Sequence, residues 1–336
     1  MIVPTRRKPD SSLRTFLLSG SAALSPELCR NPDMELMPAS IEESYVRLTL
    51  HVQQTEVFGV SKTSMHKQGN RRALVCWLRY RLAQISPDRK VLVVTYKAYA
   101  AELWTELSMY HDRLIPLQTE DGGAPKASLP YFGGLNSSNR YAEASCVICA
   151  GLGRFDSTDY LCRALAYDFD GSAYQELCQR CSDCQLRDAR DLTAVMDIAN
   201  LTLARDLVQL VFRSMLRKHG ETEPIDLWLI QPPEPVLLHL QAFFEDCRVV
   251  RYTDVPPECE MEVSANRTVN GELTHAAKLL RWLQEWDGSE IASADVQKQL
   301  AMTPPQWKEA RKNKNVRKYF ESYVVSRKNG RYISKK

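Results

Sequence analysis

No stretch of this 336-residue sequence approaches twenty consecutive apolar residues, so no helix of it is expected to span a bilayer. A secretory leader is not expected either. Arg6, Arg7 and Lys8 precede TFLLSGSAAL, but the unbroken apolar core runs only from Phe16 to Leu18 before Ser-Gly-Ser intervenes. No internal repeat is visible, which sets aside solenoid and propeller architectures. Acidic residues are scarce at one end. Residues 304–336 hold eleven Lys or Arg against Glu309 and Glu321, while the whole chain carries a net charge of only +3. That imbalance favours a polyanionic partner for the C-terminal part. Cysteine is not scarce, at ten residues. The chain is long, however, and Cys76, Cys146 and Cys149 sit in apolar or helical stretches. This argues against a disulfide scaffold and for a reducing, cytoplasmic setting.

The stretch that organises the rest is residues 203–217, LARDLVQLVFRSMLR. Leu203, Leu207, Leu210, Val211 and Met215 form a helical stripe that can dock on a sheet. Off that stripe stand Arg205, Gln209, Arg213 and Arg217, spaced at four, which predicts one shared helix face. Guanidinium groups on one face repel each other unless an anion sits opposite, and phosphate suits their forked donors best. The bland alternative is a solvated basic face on an ordinary core helix.

Around this helix the pattern alternates. Residues 45–53 alternate apolar and polar as a strand does, 71–85 read as a helix, and KVLVVT (90–95) as a strand buried on both faces. A helix over 99–107, a Gly-, Pro- and Ser-rich loop over 121–130, and apolar strands at 146–149 and 225–230 follow. Strands separated by helices imply a parallel sheet with crossover helices, and hence functional groups at its carboxyl edge. After a polar linker with Pro256-Pro257, the spacing predicts helices over 273–286, 293–300 and from 304. A hairpin around Lys328-Asn329-Gly330 closes the chain, Asn-Gly being a strong hairpin signal. Three helices and a hairpin make a winged-helix pattern. It carries Lys308, Arg311, Lys312, Lys314, Arg317 and Lys318 on or beside one helix, and Arg327, Lys328 and Arg331 on the wing. Asn313 and Asn315 are available there to read bases.

Several motifs, in order, resemble the second RecA-like domain of superfamily 2 DNA helicases, nearest to the primase–helicase proteins of phages and integrating elements. LLSGSA (17–22) resembles the end of a first RecA-like lobe. VLVVTYK (91–97) resembles the first strand of the second. The segment 131–152 is similar to the one that contacts the nucleic acid backbone and the ATP ribose side, with Ser137-Ser138-Asn139 in place of Gly-Ser-Asn or Gly-Thr-Asn. DLVQLVFRSMLR is similar to the motif in which a Gln leads and two arginines reach the γ-phosphate. The resemblance implies that Gln209, Arg205 and Asn139 bind nucleotide, that Arg213 and Arg217 act catalytically, and that Ser137, Ser138 and Lys97 meet nucleic acid. In the motif the second arginine follows the Gln by seven residues. That position is Leu216 here, and Arg217 is one further on.

A motor also needs a phosphate loop and an acidic Mg²⁺ motif. G-x-x-x-x-G-K-[ST] is absent. Its nearest imitation is Gly59-Val60-Ser61-Lys62-Thr63, where Ser61 replaces the required glycine and Glu56 the first one, a carboxylate that would repel phosphate. ATP and Mg²⁺ are therefore expected only with a separate protein carrying the phosphate-loop lobe.

Cys178-x-x-Cys181-x-x-Cys184 is the sharpest signal outside the resemblance. Thiolates at this spacing suit zinc, iron–sulfur ligation uses a similar one, and on a helix the same cysteines serve as apolar filling. Asp168 and Asp170, before Gly171, read as a turn rather than a paired-carboxylate site.

The expectation is thus an α/β protein. Residues 1–30 form the tail of a first RecA-like lobe. Residues 31–255 form a RecA-like parallel sheet flanked by helices, with a Cys-rich insertion near 156–190. Residues 265–336 form a basic winged helix that binds DNA. The function expected is a helicase-like protein supplying the arginine side of an ATP cleft, with a non-catalytic DNA-binding or scaffold protein as the alternative. The motor reading requires the arginine row to line the sheet's carboxyl rim. A row turned to solvent away from that rim leaves only a positively charged clamp.

Overall fold

A computed structural model describes residues 24–29, 45–121, 124–135, 139–168, 170–183, 186, 188–218, 221–269, 271–327 and 330–336. The expected first-lobe tail over 17–22, Ser137, Ser138, Cys184 and Lys328 lie outside the described residues.

Five strands form one parallel sheet: β1 (Leu48–Gln53), β2 (Lys90–Val94), β3 (Ala144–Cys149), β4 (Ile225–Ile230) and β5 (Arg248–Tyr252). Their order is β2-β3-β4-β1-β5, with every neighbouring pair parallel. The register sets Leu50 beside Leu227, and sets Val147 between Leu92 and Leu227. Parallel strands need crossovers, which cover the sheet and explain the continuous apolar runs KVLVV and ASCVIC. On one face Leu48, Leu50, Val52, Leu92, Val94, Val147, Leu227 and Leu229 are buried with Leu203, Leu207, Leu210 and Val211, and with Val236, Leu237 and Leu240 of the helix Glu234–Phe243. Each such side chain withdrawn from water contributes about 1.5–3 kcal/mol before entropy is counted. The apolar stripe read from the sequence is therefore the docking face.

The helix itself is Thr193–Val211, not 203–217. It starts earlier because the Glu176 carboxylate accepts the Thr193 backbone N–H at 3.0 and 3.1 Å. It stops because the Ser214 hydroxyl donates to the Val211 carbonyl at 2.5 Å, offering that acceptor a local partner in place of the next helical turn. Ser214 is then extended, and its oxygen accepts the Leu216 N–H at the head of a 3-10 turn, Met215–Arg217.

Three elements depart from the sequence reading. The Gly- and Pro-rich stretch expected as a loop carries an antiparallel hairpin, Leu117–Asp121 with Ala124–Ser128. The expected Cys-rich insertion contains two helices, Ser157–Ala166 and Ser172–Ser182. β5 was not anticipated, its alternation being short and charged.

The chain divides into two compact units. The first holds the sheet: Met1–Gln53, Pro87–Trp104 and His111–Tyr252. The second takes in Gln54–Ser86 and Thr105–Tyr110 besides Thr253–Lys336, so its boundary is not the linker alone. The reason is the helix Gln68–Gln84, which packs along Pro257–Ala265. A Cβ at Gly69 would come within 3.1 Å of the Val263 Cα, so glycine permits the close helix approach. The Cys259 thiol donates to the Ala73 carbonyl at 3.4 Å, and Arg281 donates to the Ala265 carbonyl and to Gln68 Oε1.

The second unit also carries a short strand pair, Thr268–Val269 with Glu272–Leu273, followed by helix His275–Glu285, a two-residue strand Ile291–Ala292, then helices Ser293–Gln299, Pro304–Lys312 and Lys314–Tyr323. A hairpin of Val324–Arg327 and Tyr332–Lys335 follows, and Ile291–Ala292 pairs with its second strand. The third expected helix is two, split at Asn313, whose side-chain oxygen caps the second by accepting from Asn315 and Val316. Leu279, Leu280, Leu283, Val296, Trp307, Val316, Tyr319 and Ile333 form the core. No helix among the described residues is long and apolar enough to cross a membrane.

Candidate functional site

The predicted site residues of the first unit fall on opposite edges of the sheet. The helix Thr193–Val211 is the last α-helix between β3 and β4, and its end leads to the amino end of β4. It runs against the strands and delivers its last turn to the amino edge. Arg47 confirms the placement: directly before β1, its guanidinium donates to the carbonyls of Met215 (3.3 Å), Leu216 (2.7 Å) and Lys218 (3.0 Å). Arg217 is exposed on that edge, and Gln209 is exposed on the helix's last turn. Arg213, past the helix end, donates to the Leu135 carbonyl. Asn139 lies in the 3-10 turn Asn139–Tyr141, which leads into the amino end of β3. Arg205 is turned to the Asp206 carboxylate at 3.4 Å, with 16% of its side chain exposed.

The single arginine row is therefore overturned. Only Arg205 and Gln209 are on the helix. The row does not line the carboxyl rim, from which the amino edge is separated by a strand length of roughly 17–20 Å.

Lys97 alone of the expected residues described in this unit reaches the carboxyl rim. It is exposed, and its ammonium stands 5.8 Å from the Tyr131 ring centroid. A ledge of rings surrounds it. Tyr96 and Phe132 are 5.7 Å apart, and the Tyr96 hydroxyl donates to the Leu152 carbonyl at 2.9 Å while accepting the Leu152 N–H at 3.2 Å. Glycines make room: at Gly151 (φ +136°) a Cβ would be 2.7 Å from the Tyr96 ring, and at Gly153 it would be 2.9 Å from Phe132. The three rings are half-buried, with the exposed cations Lys97 and Arg154 beside them.

One polar network escaped the sequence reading. His51 Nε2 is 2.8 Å from Asp226 Oδ1 and its Nδ1 is 3.0 Å from the Tyr252 hydroxyl. The ring stacks on Trp228 at 4.3 Å, and Arg89 donates to the other Asp226 oxygen. Burial works to raise the Asp226 carboxyl, but the hydrogen bond from His51 and the charge of Arg89 outweigh it and hold it below the ordinary carboxylate range. The signal was available: an acid inside I-D-L-W-L-I and a histidine inside L-T-L-H-V-Q, both on apolar strands.

The metal expectation gains no geometry. Cys178 and Cys181 are exposed on the helix Ser172–Ser182, and among the described residues no group of three or more His, Cys, Asp or Glu could hold a metal ion. Asp168 and Asp170 are helix-capping acceptors for Ala173, Tyr174 and Ser172, as a turn reading requires. Glu56, Lys62 and Thr63 are exposed, and Ser61 caps the four-residue helix Lys62–Met65.

In the second unit Lys308, Lys312, Lys314, Arg317 and Lys318 are all exposed, as are Arg327 and Arg331. Lys312 pairs with Glu309 at 2.9 Å, Arg317 with Glu321 at 3.7 Å and Arg327 with Glu290 at 3.3 Å. Lys308, Lys314, Lys318 and Arg331 have no carboxylate partner among the described residues. Arg311 lies over the Phe320 ring at 4.8 Å, and its Nη1 is 3.8 Å from a Cβ placed on Gly330, so the hairpin turn meets the end of the helix Pro304–Lys312. Compared with models of protein families, with curated proteins and with solved structures, the chain matches none.

Proposed function

We propose that this protein binds nucleic acid, with its second unit acting as a winged helix that grips the phosphate backbone and its first unit acting as a non-motor, RecA-like scaffold. The observation that carries this is the set of exposed cations on Pro304–Lys312, Lys314–Tyr323 and the hairpin, four of them without a carboxylate partner among the described residues. Cations so placed release counterions when phosphate replaces water, which is the main source of sequence-independent affinity. The order helix, short strand, helix, helices, hairpin, with the short strand on the hairpin's second strand, supports the winged-helix reading. The carboxyl-rim ledge of Tyr96, Tyr131, Phe132 and Lys97 supports a second, single-strand contact. The test is fluorescence anisotropy with labelled DNA. Binding at 50 mM salt should weaken steeply by 200 mM, and absence of binding at 50 mM refutes the proposal.

A second reading is helicase-like: the arginine side of an ATP site completed by a separate phosphate-loop lobe. It rests on the order of the motifs in the sequence, and the placement of Arg217 at the amino edge rather than the carboxyl rim counts against it. It predicts Mg²⁺-dependent ATPase only in the presence of such a lobe and DNA, lost in Arg213→Ala. The broken arginine row ranks it below the clamp.

A further inference from the structure

The helices that present the basic surface also carry three carboxamides, and each is already committed inside the protein. Gln306 Oε1 accepts the Thr303 N–H at 2.9 Å in a capping box. Asn313 Oδ1 accepts from Asn315 at 3.0 Å and from Val316 at 3.4 Å. Asn315 Nδ2 donates to the Ser264 hydroxyl, and its Oδ1 is buried. Reading an adenine takes both the oxygen and the nitrogen of one amide, so none of the three can do it without undoing a cap or an interhelix bond. Three of the four arginines of this surface are similarly engaged: Arg311 on Phe320, Arg317 on Glu321, Arg327 on Glu290. On the helices Pro304–Lys312 and Lys314–Tyr323 and in the hairpin turn, the exposed cations with no carboxylate partner among the described residues are Lys308, Lys314, Lys318 and Arg331; the three lysines act as point charges rather than planar forks. Of the rings, Trp307 and Tyr319 are buried, and the Tyr319 hydroxyl is spent on the Leu283 carbonyl at 2.9 Å; Tyr323 is the exposed one, and its ring packs on Tyr319 at 5.0 Å.

We infer that this surface takes double-stranded DNA by its phosphates and does not read its sequence. The inference rests on the nucleic-acid reading above and narrows it to a substrate class. Full-length protein should bind two unrelated 20-base-pair duplexes with Kd values within about threefold. By contrast, one bidentate amide–adenine contact would discriminate about 10- to 100-fold. Selection from a randomised duplex pool should enrich no motif. With about four phosphate contacts, log K against log salt should fall with a slope of about −3 to −4. Lys308→Ala and Lys318→Ala should each weaken both duplexes equally and reduce that slope by about one. These positions are exposed, so the variants should fold, which circular dichroism checks. An enriched motif, a preference of about tenfold or more between duplexes, or a preference of about tenfold for the single strand that survives Lys97→Ala overturns the inference while leaving nucleic-acid binding intact. No binding to any DNA at 50 mM salt overturns the underlying reading instead.

Discussion

Replacing Asp226 with Asn tests whether the polar network on the sheet face is a stabilising unit or a tolerated accident. The side chain keeps its shape and loses its charge, leaving Arg89 without its carboxylate and His51 facing an amide. Breaking a buried ion pair by removing one partner costs about 3–5 kcal/mol. Here 17% of the Asp226 side chain and 21% of the Arg89 side chain are exposed, so water can solvate part of the orphaned guanidinium. The expected loss is therefore nearer about 2–3 kcal/mol, the value for a charged hydrogen bond removed from a mostly dry site. Urea denaturation at pH 7 should show it as a lower midpoint with an unchanged slope, and thermal unfolding as a fall of about 4–12 °C. Acid supplies the second check. The folded Asp226 carboxyl titrates below its unfolded value, so the folded state binds fewer protons. Its contribution is fully present above about pH 4 and is lost as pH falls through the folded value. The gap between wild type and Asp226→Asn should thus hold from pH 7 to 5 and close under more acidic conditions. A variant within about 0.5 kcal/mol of wild type at pH 7, or a gap that persists unchanged into acid, refutes the reasoning.

Gly151→Ala should cost about 2 kcal/mol or more, because φ of +136° strains any side chain and the added Cβ meets the Tyr96 ring at 2.7 Å. Combining it with Tyr96→Ala should be less than additive if that contact is the cause, as denaturation of the double variant would show. In native protein, thiol titration with a chromogenic disulfide should modify the exposed Cys162, Cys178 and Cys181 quickly, and Cys146 and Cys149 only on unfolding. Burial pushes the Cys149 thiol up to about 12 and raises Cys146 as well, so neither forms thiolate near neutral pH. Rapid native reaction at either would show that the central strands open.

The parts legible in the sequence are those governed by local rules. The strand at residues 225–230 was read with its observed bounds, and β1, β2 and β3 to within a few residues, because apolar runs between turn residues have few other uses. The docking stripe of Leu203, Leu207, Leu210 and Val211 was equally plain, since helical periodicity names a buried face without saying what buries it. The basic C-terminal helices and hairpin were likewise visible in charge and in Asn-Gly.

What failed did so where a distant or competing partner decides. Spacing at four predicts one arginine face only while the helix continues, and the Ser214 hydroxyl ends it by taking the Val211 carbonyl. Strand order then placed the surviving arginines at the amino edge, because a crossover helix between parallel strands must run backwards. Asn313 and Asn315 look free in the sequence and become structural once the helix break and Ser264 claim them. Sequence alone therefore determined which segments are apolar enough to pair and which surface is cationic. Tertiary structure decided which edge each charge reaches and which amides remain to meet a ligand, since both depend on hydrogen bonds that close only after the chain has packed.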